Sequence, residues 1–308
     1  MTVAAALAAH RWLRRSAFPV LVSVGALLLT ATYARNRDYR DAVTLWTDTV
    51  TKRPHNARAH AALGAAWVEQ GQLAPGIAAL ERSIQLDPTS GEARNNLATA
   101  LTEVNRTPEA LAHFSAALRL RPGIASTHYN FGNALLSVGR ASEAIAQQEQ
   151  ALVLLSEFPL ARCALAQAQL TAGRPGPAMD NFRAALRSQP DLVAAHFGLA
   201  NALAQTGRAA EAIPHYEATL RAVPNAVDAH YFLGHALLAA QRPADAAQRY
   251  AAALQLKPDF AEAHHYLAKS LAQLGRTAEA IAHYETALQL RPDFTATRSN
   301  LEALRKAQ

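Results

Sequence analysis

Twelve histidines, one cysteine and a recurring set of arginines are the side chains of this 308-residue sequence best suited to metal, acid-base or nucleophilic chemistry. Five of the histidines, His60, His128, His196, His230 and His264, are separated by 34 residues or twice that. Such a spacing puts each one in a separate structural unit. Neighbouring helix axes lie ~8–10 Å apart, whereas zinc ligands sit ~2 Å from a shared ion. The five histidines therefore form a column, not a site. His264 and His265 are adjacent and diverge on a helix, and His230 and His235 are only loosely co-facial. Cys163 stands alone, which excludes an intrachain disulfide and a cysteine-rich zinc site. No phosphate-cradling glycine loop, nucleophile motif or carboxylate pair with a supporting base is present. The expectation is a protein with no catalytic residue, no cofactor and no metal.

Arg106, Arg140, Arg174, Arg208, Arg242 and Arg276 repeat every 34 residues. They read as exposed turn residues, or as a basic edge for an acidic partner. The net charge of +6 does not come from them: residues 1–58 hold nine Lys or Arg against three Asp or Glu, and the remainder is balanced. A basic balance confined to one end favours lipid headgroups over nucleic acid as its counterpart.

The elements that position these residues are set by a comb of prolines. Pro54, Pro88, Pro122, Pro190, Pro224, Pro258 and Pro292 share one 34-residue register, in which Ser156 is the missing tooth. With this proline at position 32, seven repeats begin at Ala57, Gly91, Ala125, Pro159, Val193, Val227 and Ala261. Position 8 is always Gly or Ala, and position 20 is Gly76 and then Ala. Position 24 is Leu80, Phe114, Phe182, Tyr216, Tyr250 or Tyr284, with Gln148 as the exception. Small residues at 8 and 20 let two helices approach closely, and large ones at 7, 11 and 24 fill the seam to the next pair. An alanine-rich composition with 6% aromatics argues against sheet.

Gly71, Gly139, Gly173, Gly207 and Gly275 at position 15 end the first helix of each pair. Thr107, Pro108 and Glu109 read as cap, first-turn proline and first-turn carboxylate of a second helix. Repeats 3 and 4 depart from the pattern through Ser156, Gln148 and the RPGP run at 174–177. That is drift in one seam, or a hinge.

At nearly every signature position the sequence from Ala57 onward resembles the tetratricopeptide repeat. The resemblance implies an all-α, right-handed superhelical solenoid of antiparallel helix pairs. It also implies that first-helix positions 2, 5, 9, 12 and 13 line a concave groove. Among these, Asn95, Tyr129, Phe197, Tyr231 and His265 at position 5, and Thr99, Asn133, Gln167, Asn201, His235 and Lys269 at position 9, are the candidate partner-binding residues. Positions 5 and 9 are neighbours on a helix, so amides and aromatics alternate along one face, as an extended peptide requires. The repeat region is also similar to that of nucleocytoplasmic O-GlcNAc transferase, which lines its groove with Asn at position 6. Asn96, Asn130 and Asn300 match; Ala62, Ala164, Gly198, Phe232 and Tyr266 do not, so a continuous asparagine ladder is not expected.

The comb runs upstream as well, placing Trp46 at position 24 of a half-repeat helix, Asp38 to Lys52, within residues 38–56. Before it, Ala17 to Ala34 is uncharged for 18 residues. As a helix it spans about 27 Å, just enough for a hydrocarbon core of ~30 Å. Arginines flank both ends. An uncleaved transmembrane helix over 17–34, behind a basic tail at 1–16, is the favoured reading; a cleaved signal and a buried helix are the alternatives. Three arginines on each side leave the orientation undetermined by charge. The stretch Arg35 to Gly64 resembles the junction between the last span and first repeat in bacterial relatives of the transmembrane and tetratricopeptide repeat O-mannosyltransferases, through Arg35, Asn36, Leu45, Trp46, Pro54, Asn56, Ala57 and Gly64. That family places its repeats outside the cytoplasm, in the lumen or periplasm. Its catalytic acids lie in spans this chain does not contain, so none is carried over.

The organisation expected is a tail at 1–16, a membrane helix at 17–34, a half-repeat at 38–56, seven repeats at 57–294 and a capping helix at 295–308. The function expected is a membrane-anchored, non-enzymatic scaffold binding a protein or extended peptide, with no nucleic-acid partner. The alternative is an accessory or truncated relative of a membrane glycosyltransferase whose repeats recruit acceptor proteins.

Overall fold

The structure, a computed structural model, describes residues 41–306. The expected membrane helix at 17–34 and the basic tail before it lie outside the described residues. Among those described, no helix is long and apolar enough to cross a membrane, and no strand occurs.

The chain divides into two compact units, with the boundary between Pro122 and Gly123. In the first are α1 (Ala42–Lys52), α2 (Ala57–Glu69), α3 (Leu73–Leu86), α4 (Gly91–Glu103) and α5 (Thr107–Leu120). The second holds α6 (Ala125–Ser137), α7 (Ala141–Leu154), α8 (Pro159–Thr171), α9 (Pro175–Ser188), α10 (Val193–Gln205) and α11 (Ala209–Ala222). It continues with α12 (Val227–Ala239), α13 (Pro243–Leu256), α14 (Ala261–Gln273), α15 (Thr277–Leu290) and α16 (Thr295–Lys306). Each repeat start read from the proline comb is the first residue of a helix. Among the described residues the half-repeat helix starts at Ala42, where the Asp41 carboxylate caps it by accepting from Thr44 N at 3.2 Å; the expected start at Asp38 lies outside the described residues.

Helices of 13 and 14 residues are marginal alone, so packing must stabilise them. Within a pair the backbones almost touch. A Cβ on Gly64 would lie 2.9 Å from the Gly76 carbonyl oxygen, which is the close approach that small residues at positions 8 and 20 permit. Position 24 works differently from expectation. Its side chain first fills the notch at position 8 of its own repeat: a Cβ on Gly234 would meet the Tyr250 ring at 2.7 Å, and one on Gly64 would meet Leu80 at 2.5 Å. The same rings then reach position 6 of the following repeat, with Tyr216 on Phe232 (6.4 Å) and Tyr250 on Tyr266 (5.9 Å), both stacked. One ring thus closes a pair and joins it to the next.

The first-helix ends follow one rule. Gly71, Gly139, Gly173, Gly207 and Gly275 have φ between 72° and 77°, and Asn105 and Gln241 take the same left-handed conformation in repeats 2 and 6. The following residue donates back to the carbonyl five residues earlier, as in Arg106 N to Leu101 O at 2.8 Å and Arg276 N to Leu271 O at 2.9 Å. Thr107 is therefore the first helical residue rather than the cap; it is buried, and Arg106 occupies the cap position.

The arginine stripe takes the form of exposed turn residues and not of a basic edge. Arg106, Arg140, Arg208, Arg242 and Arg276 each bind the carboxylate three residues on, Glu109, Glu143, Glu211, Asp245 and Glu279, at 2.6–2.7 Å. Arg174 has Pro177 at that place. The stripe is neutralised locally, and exposed pairs of this kind contribute little to stability.

In the atypical repeat 3, Gln148 replaces the ring and is only 1% exposed. Its amide donates to Tyr129 O at 3.0 Å and to Asn133 Oδ1 at 3.1 Å. Hydrogen bonding takes the place of aromatic packing there. At the other end of the second unit, α16 buries Thr297 and Leu301 and is tied to α15 through the Arg305–Glu285 pair.

Candidate partner-binding site

The histidine column has a structural task. His60, His196, His230 and His264 each direct Nε2 at the carbonyl of the proline six residues earlier, Pro54, Pro190, Pro224 and Pro258, at 2.9–3.0 Å. A carbonyl oxygen only accepts, so Nε2 carries the proton. Arg94, Arg162 and Arg298 make the same link to Pro88, Ser156 and Pro292. The Nδ1 atom of His128 pairs with Gln147 Oε1 at 2.8 Å. Position 4 fastens each first helix to the turn before it, and the link tolerates the loss of proline at Ser156 because only the carbonyl is used.

The expected groove residues separate into three groups. In the first unit, Asn95 and Thr99 lie half-buried on α4, where Thr99 Oγ1 donates to the Asn95 carbonyl at 3.0 Å. An alanine-lined cleft of about 400 Å³ opens between α2 and α4, bordered by Ala61, Ala62, Ala65, Asn96 and Arg121. In repeats 3, 6 and 7 of the second unit, position 5 is covered by the aromatic at position 34 of its own repeat, whereas repeats 4 and 5 carry Leu192 and Ala226 there. Tyr129 packs on Phe158 (5.1 Å), Tyr231 on Phe260 (4.7 Å) and His265 on Phe294 (4.9 Å). His265 does not line a groove: it is buried and shares a hydrogen bond of 2.8 Å with Thr297 Oγ1 of α16. Cys163, also at position 5, is buried, and burial pushes its thiol up to about 12, which makes it inert.

Position 9 is occupied from within too. Asn133 accepts from Gln148, and Asn201 accepts from the Tyr216 hydroxyl at 2.6 Å. Gln167 and Lys269 are exposed. The amides therefore serve position 24 of their own repeats before they serve a partner. This yields a paired prediction. Tyr216→Phe leaves Asn201 without its donor and lowers stability by about 1 kcal/mol. Tyr250 has the same place in the next repeat, but its buried hydroxyl has no partner, so Tyr250→Phe is neutral or stabilising. Urea unfolding of the two variants reads the difference, and equal losses would refute the distinction.

Sequence reasoning missed position 6, where Phe232 and Tyr266 stood out only as departures from an asparagine pattern. Their signal was being large and aromatic in a column that is otherwise small or amide. Phe232 is 38% exposed, and it lies 6.1 Å from Phe197 and 5.3 Å from Tyr231. His235 is set between Tyr231 (4.5 Å) and Tyr266 (4.1 Å), edge to face with both. Burial, with help from the Lys269 ammonium and His265, pushes His235 down to about 4, so it is neutral at physiological pH. Lys269 lies 6.0 Å over the Tyr266 ring. Beyond it a cleft of about 450 Å³ is bordered by Lys269, Gln273, Tyr284, Asn300 and Leu304. First helices α10, α12 and α14 thus present a continuous aromatic face ending in a cation and an amide.

Comparison with known proteins agrees with this architecture. One tetratricopeptide repeat model matches residues 32–91, 163–227 and 231–293, and a second matches 79–112. No curated protein matches the chain. The resemblance of the Arg35–Gly64 junction to O-mannosyltransferase relatives finds no support in these matches. Among solved structures, YrrB, described as a tetratricopeptide repeat protein with an unusual peptide-binding site, is 22% identical. The match covers 61% of this chain and 97% of that one, with a TM-score of 0.55. PilF of Pseudomonas aeruginosa is 19% identical over 69% of this chain and 97% of its own, at 0.62. The Cut9–Hcn1 assembly of the APC/C is 17% identical over 85% of this chain and 52% of its own, at 0.66. At such identities these structures speak for the fold alone. Repeat models that together match more than half the sequence establish that the chain belongs to the tetratricopeptide repeat family.

Proposed function

We propose that the protein is a scaffold that binds an extended segment of a partner protein across the aromatic face of repeats 5–7. The observation that carries this reading is the exposure of Phe232 beside Phe197, Tyr231 and His235, with Tyr266 against the last two. A ring left that exposed within a cluster of rings is a ready anchor pocket for apolar side chains. Asn201 Nδ2 on α10, and beyond it Gln167 on α8 and Asn133 Nδ2 on α6, supply main-chain partners at the same repeat position of the preceding first helices, and Lys269 favours an acidic residue or carboxylate at one end. The domain limits read from the sequence, 38–56, 57–294 and 295–308, delimit the binding solenoid in this reading. A random peptide library selected on the full chain should yield binders rich in apolar and aromatic residues. Phe232→Ser should weaken them at least tenfold while helicity is kept. Binders that ignore both Phe232→Ser and Tyr266→Ala would refute the site.

The same proposal holds this scaffold at a bilayer through 17–34, with the repeats on the extracytoplasmic side. The uncharged run and its arginine flanks support the anchor, and the resemblance of the following junction supports the side. Alkaline carbonate extraction should leave the protein in the membrane pellet; release into the supernatant would refute the anchor.

A further inference from the structure

Two repeats carry a feature that the other histidines do not. In repeat 5, His196 of α10 and His215 of α11 face each other with Nδ1 atoms 2.9 Å apart. In repeat 7, His264 of α14 and His283 of α15 do the same at 3.0 Å. The ring geometry is reproduced as well: centroids are 5.2 Å apart in both pairs, with interplanar angles of 35° and 32°. Both pairs join positions 4 and 23 of a single repeat, so they escape a search along the position-4 column.

The proline link determines what these pairs can do. Because Nε2 of His196 and His264 donates to Pro190 and Pro258, Nδ1 of each is a lone pair aimed at the partner ring. A histidine whose outer N–H is held by a backbone carbonyl is oriented as a metal ligand is oriented by its supporting shell. In the ion-free pair the second ring supplies its Nδ1 proton to that lone pair. A shift of this proton, through water, from Nδ1 to Nε2 of the second ring leaves two neutral imidazoles whose Nδ1 lone pairs converge on one point. Two metal–imidazole bonds of about 2.0–2.1 Å at angles between a right angle and tetrahedral end roughly 2.9–3.4 Å apart. The observed separations lie at the short end of that range, and the half-buried rings need only turn about χ2 so that both lone pairs meet the ion.

We propose that His196 with His215, and His264 with His283, form two equivalent chelating sites for a late first-row divalent transition-metal ion. Imidazole nitrogen suits copper, nickel and zinc, with copper binding most tightly. No group of three metal-ligating side chains comes together among the described residues. Glu211 and Glu279, one turn before His215 and His283, are held by Arg208 and Arg276. Water therefore completes the coordination, and affinity is micromolar rather than nanomolar. The repeat 7 site opens onto a cleft of about 360 Å³ bordered by Ala247, Leu267, Leu271, Arg276, Glu279 and His283, which gives the ion's waters room. Each ion would clamp the two helices of its repeat, on residues separate from the aromatic face.

Calorimetric titration of the untagged full chain with nickel and with copper tests this. Two ions should bind per chain, one to His215→Gln and none to His215→Gln/His283→Gln. Glutamine is the suitable replacement because repeat 3 already pairs His128 with Gln147, so the helix pair keeps its hydrogen bond. Long-range nitrogen–proton spectra should show the Nδ1 resonances of the four rings shifting on metal addition. No saturable binding by the wild-type chain would overturn the proposal, as would a stoichiometry that the double substitution leaves unchanged; either result assigns the pairs to hydrogen bonding alone.

Discussion

Replacing Gly198 by alanine should destabilise the second unit more than any other single methyl group added to the chain. Gly198 is position 6 of repeat 5, and Phe182, position 24 of repeat 4, lies against its backbone. A Cβ there would sit 2.3 Å from Cζ and 2.4 Å from Cε1 of that ring. Phe182 is 1% exposed and enclosed by the core of the unit, so the ring has no free direction in which to move. Overpacking a well-filled interior costs about 1–3 kcal/mol, and this contact belongs at the upper end because both partners are rigid. The urea midpoint of Gly198→Ala should fall accordingly, and Phe182→Leu should recover part of the loss in that background, a coupling expected only for residues in contact. Gly176 is the control: nothing lies within 4 Å of its added Cβ, so Gly176→Ala in the first turn of α9 should be neutral or better. Equal midpoints for the two alanine variants would refute the assignment.

The same pair shows what the sequence could and could not disclose. The 34-residue comb fixed every full-repeat start to the residue, because proline, glycine and the small residues at positions 8 and 20 each answer a local backbone or steric demand. Partner choice across the repeat is not a local demand. Position 24 was assigned to the seam between repeats, yet Tyr250 first fills the notch at Gly234 and only then reaches Tyr266. Position 5 was assigned to the groove, yet Tyr231 and His265 are covered by Phe260 and Phe294 from the end of their own repeats. Neither pairing follows from helical periodicity, since one joins two helices across a turn and the other joins a helix to the turn at the end of its repeat. The aromatic face is half legible: Phe197, Tyr231 and His235 fall in the expected set, while Phe232 and Tyr266 read only as departures from an asparagine pattern. The arginine stripe is the opposite case, since a local rule decides between exposed turn residues and a basic edge. Its neutralising carboxylates lie three residues away in the sequence, within reach of a charge-pair reading.

Acidification should weaken the fold through the centre of the candidate site. His235 lies among Tyr231, Tyr250 and Tyr266, and burial together with Lys269 and His265 holds it down to about 4 against an ordinary value near 6.5. Above pH 6.5 the ring is neutral both folded and unfolded, and it adds no pH dependence. As the pH falls from 6.5 towards 4 the unfolded chain takes up a proton that the folded chain refuses, so the stability present at neutral pH is lost across that window. The limit is ~1.4 kcal/mol per pH unit, or roughly 3 kcal/mol in all, reduced because the ring is only partly buried. Below pH 4 both states are protonated at this residue and its contribution levels off. His235→Asn places there the residue that repeats 3 and 5 carry at position 9, Asn133 and Asn201, and removes the titration. Urea midpoints of the variant should fall less steeply than those of the wild-type chain between pH 6.5 and 4, while the remaining histidines keep their slope in both proteins. Parallel profiles would show that the His235 ring is solvated in solution. They would also remove the ground for treating Tyr231, His235 and Tyr266 as one apolar surface, since a ring that takes its proton at ordinary pH cannot be enclosed by that cluster.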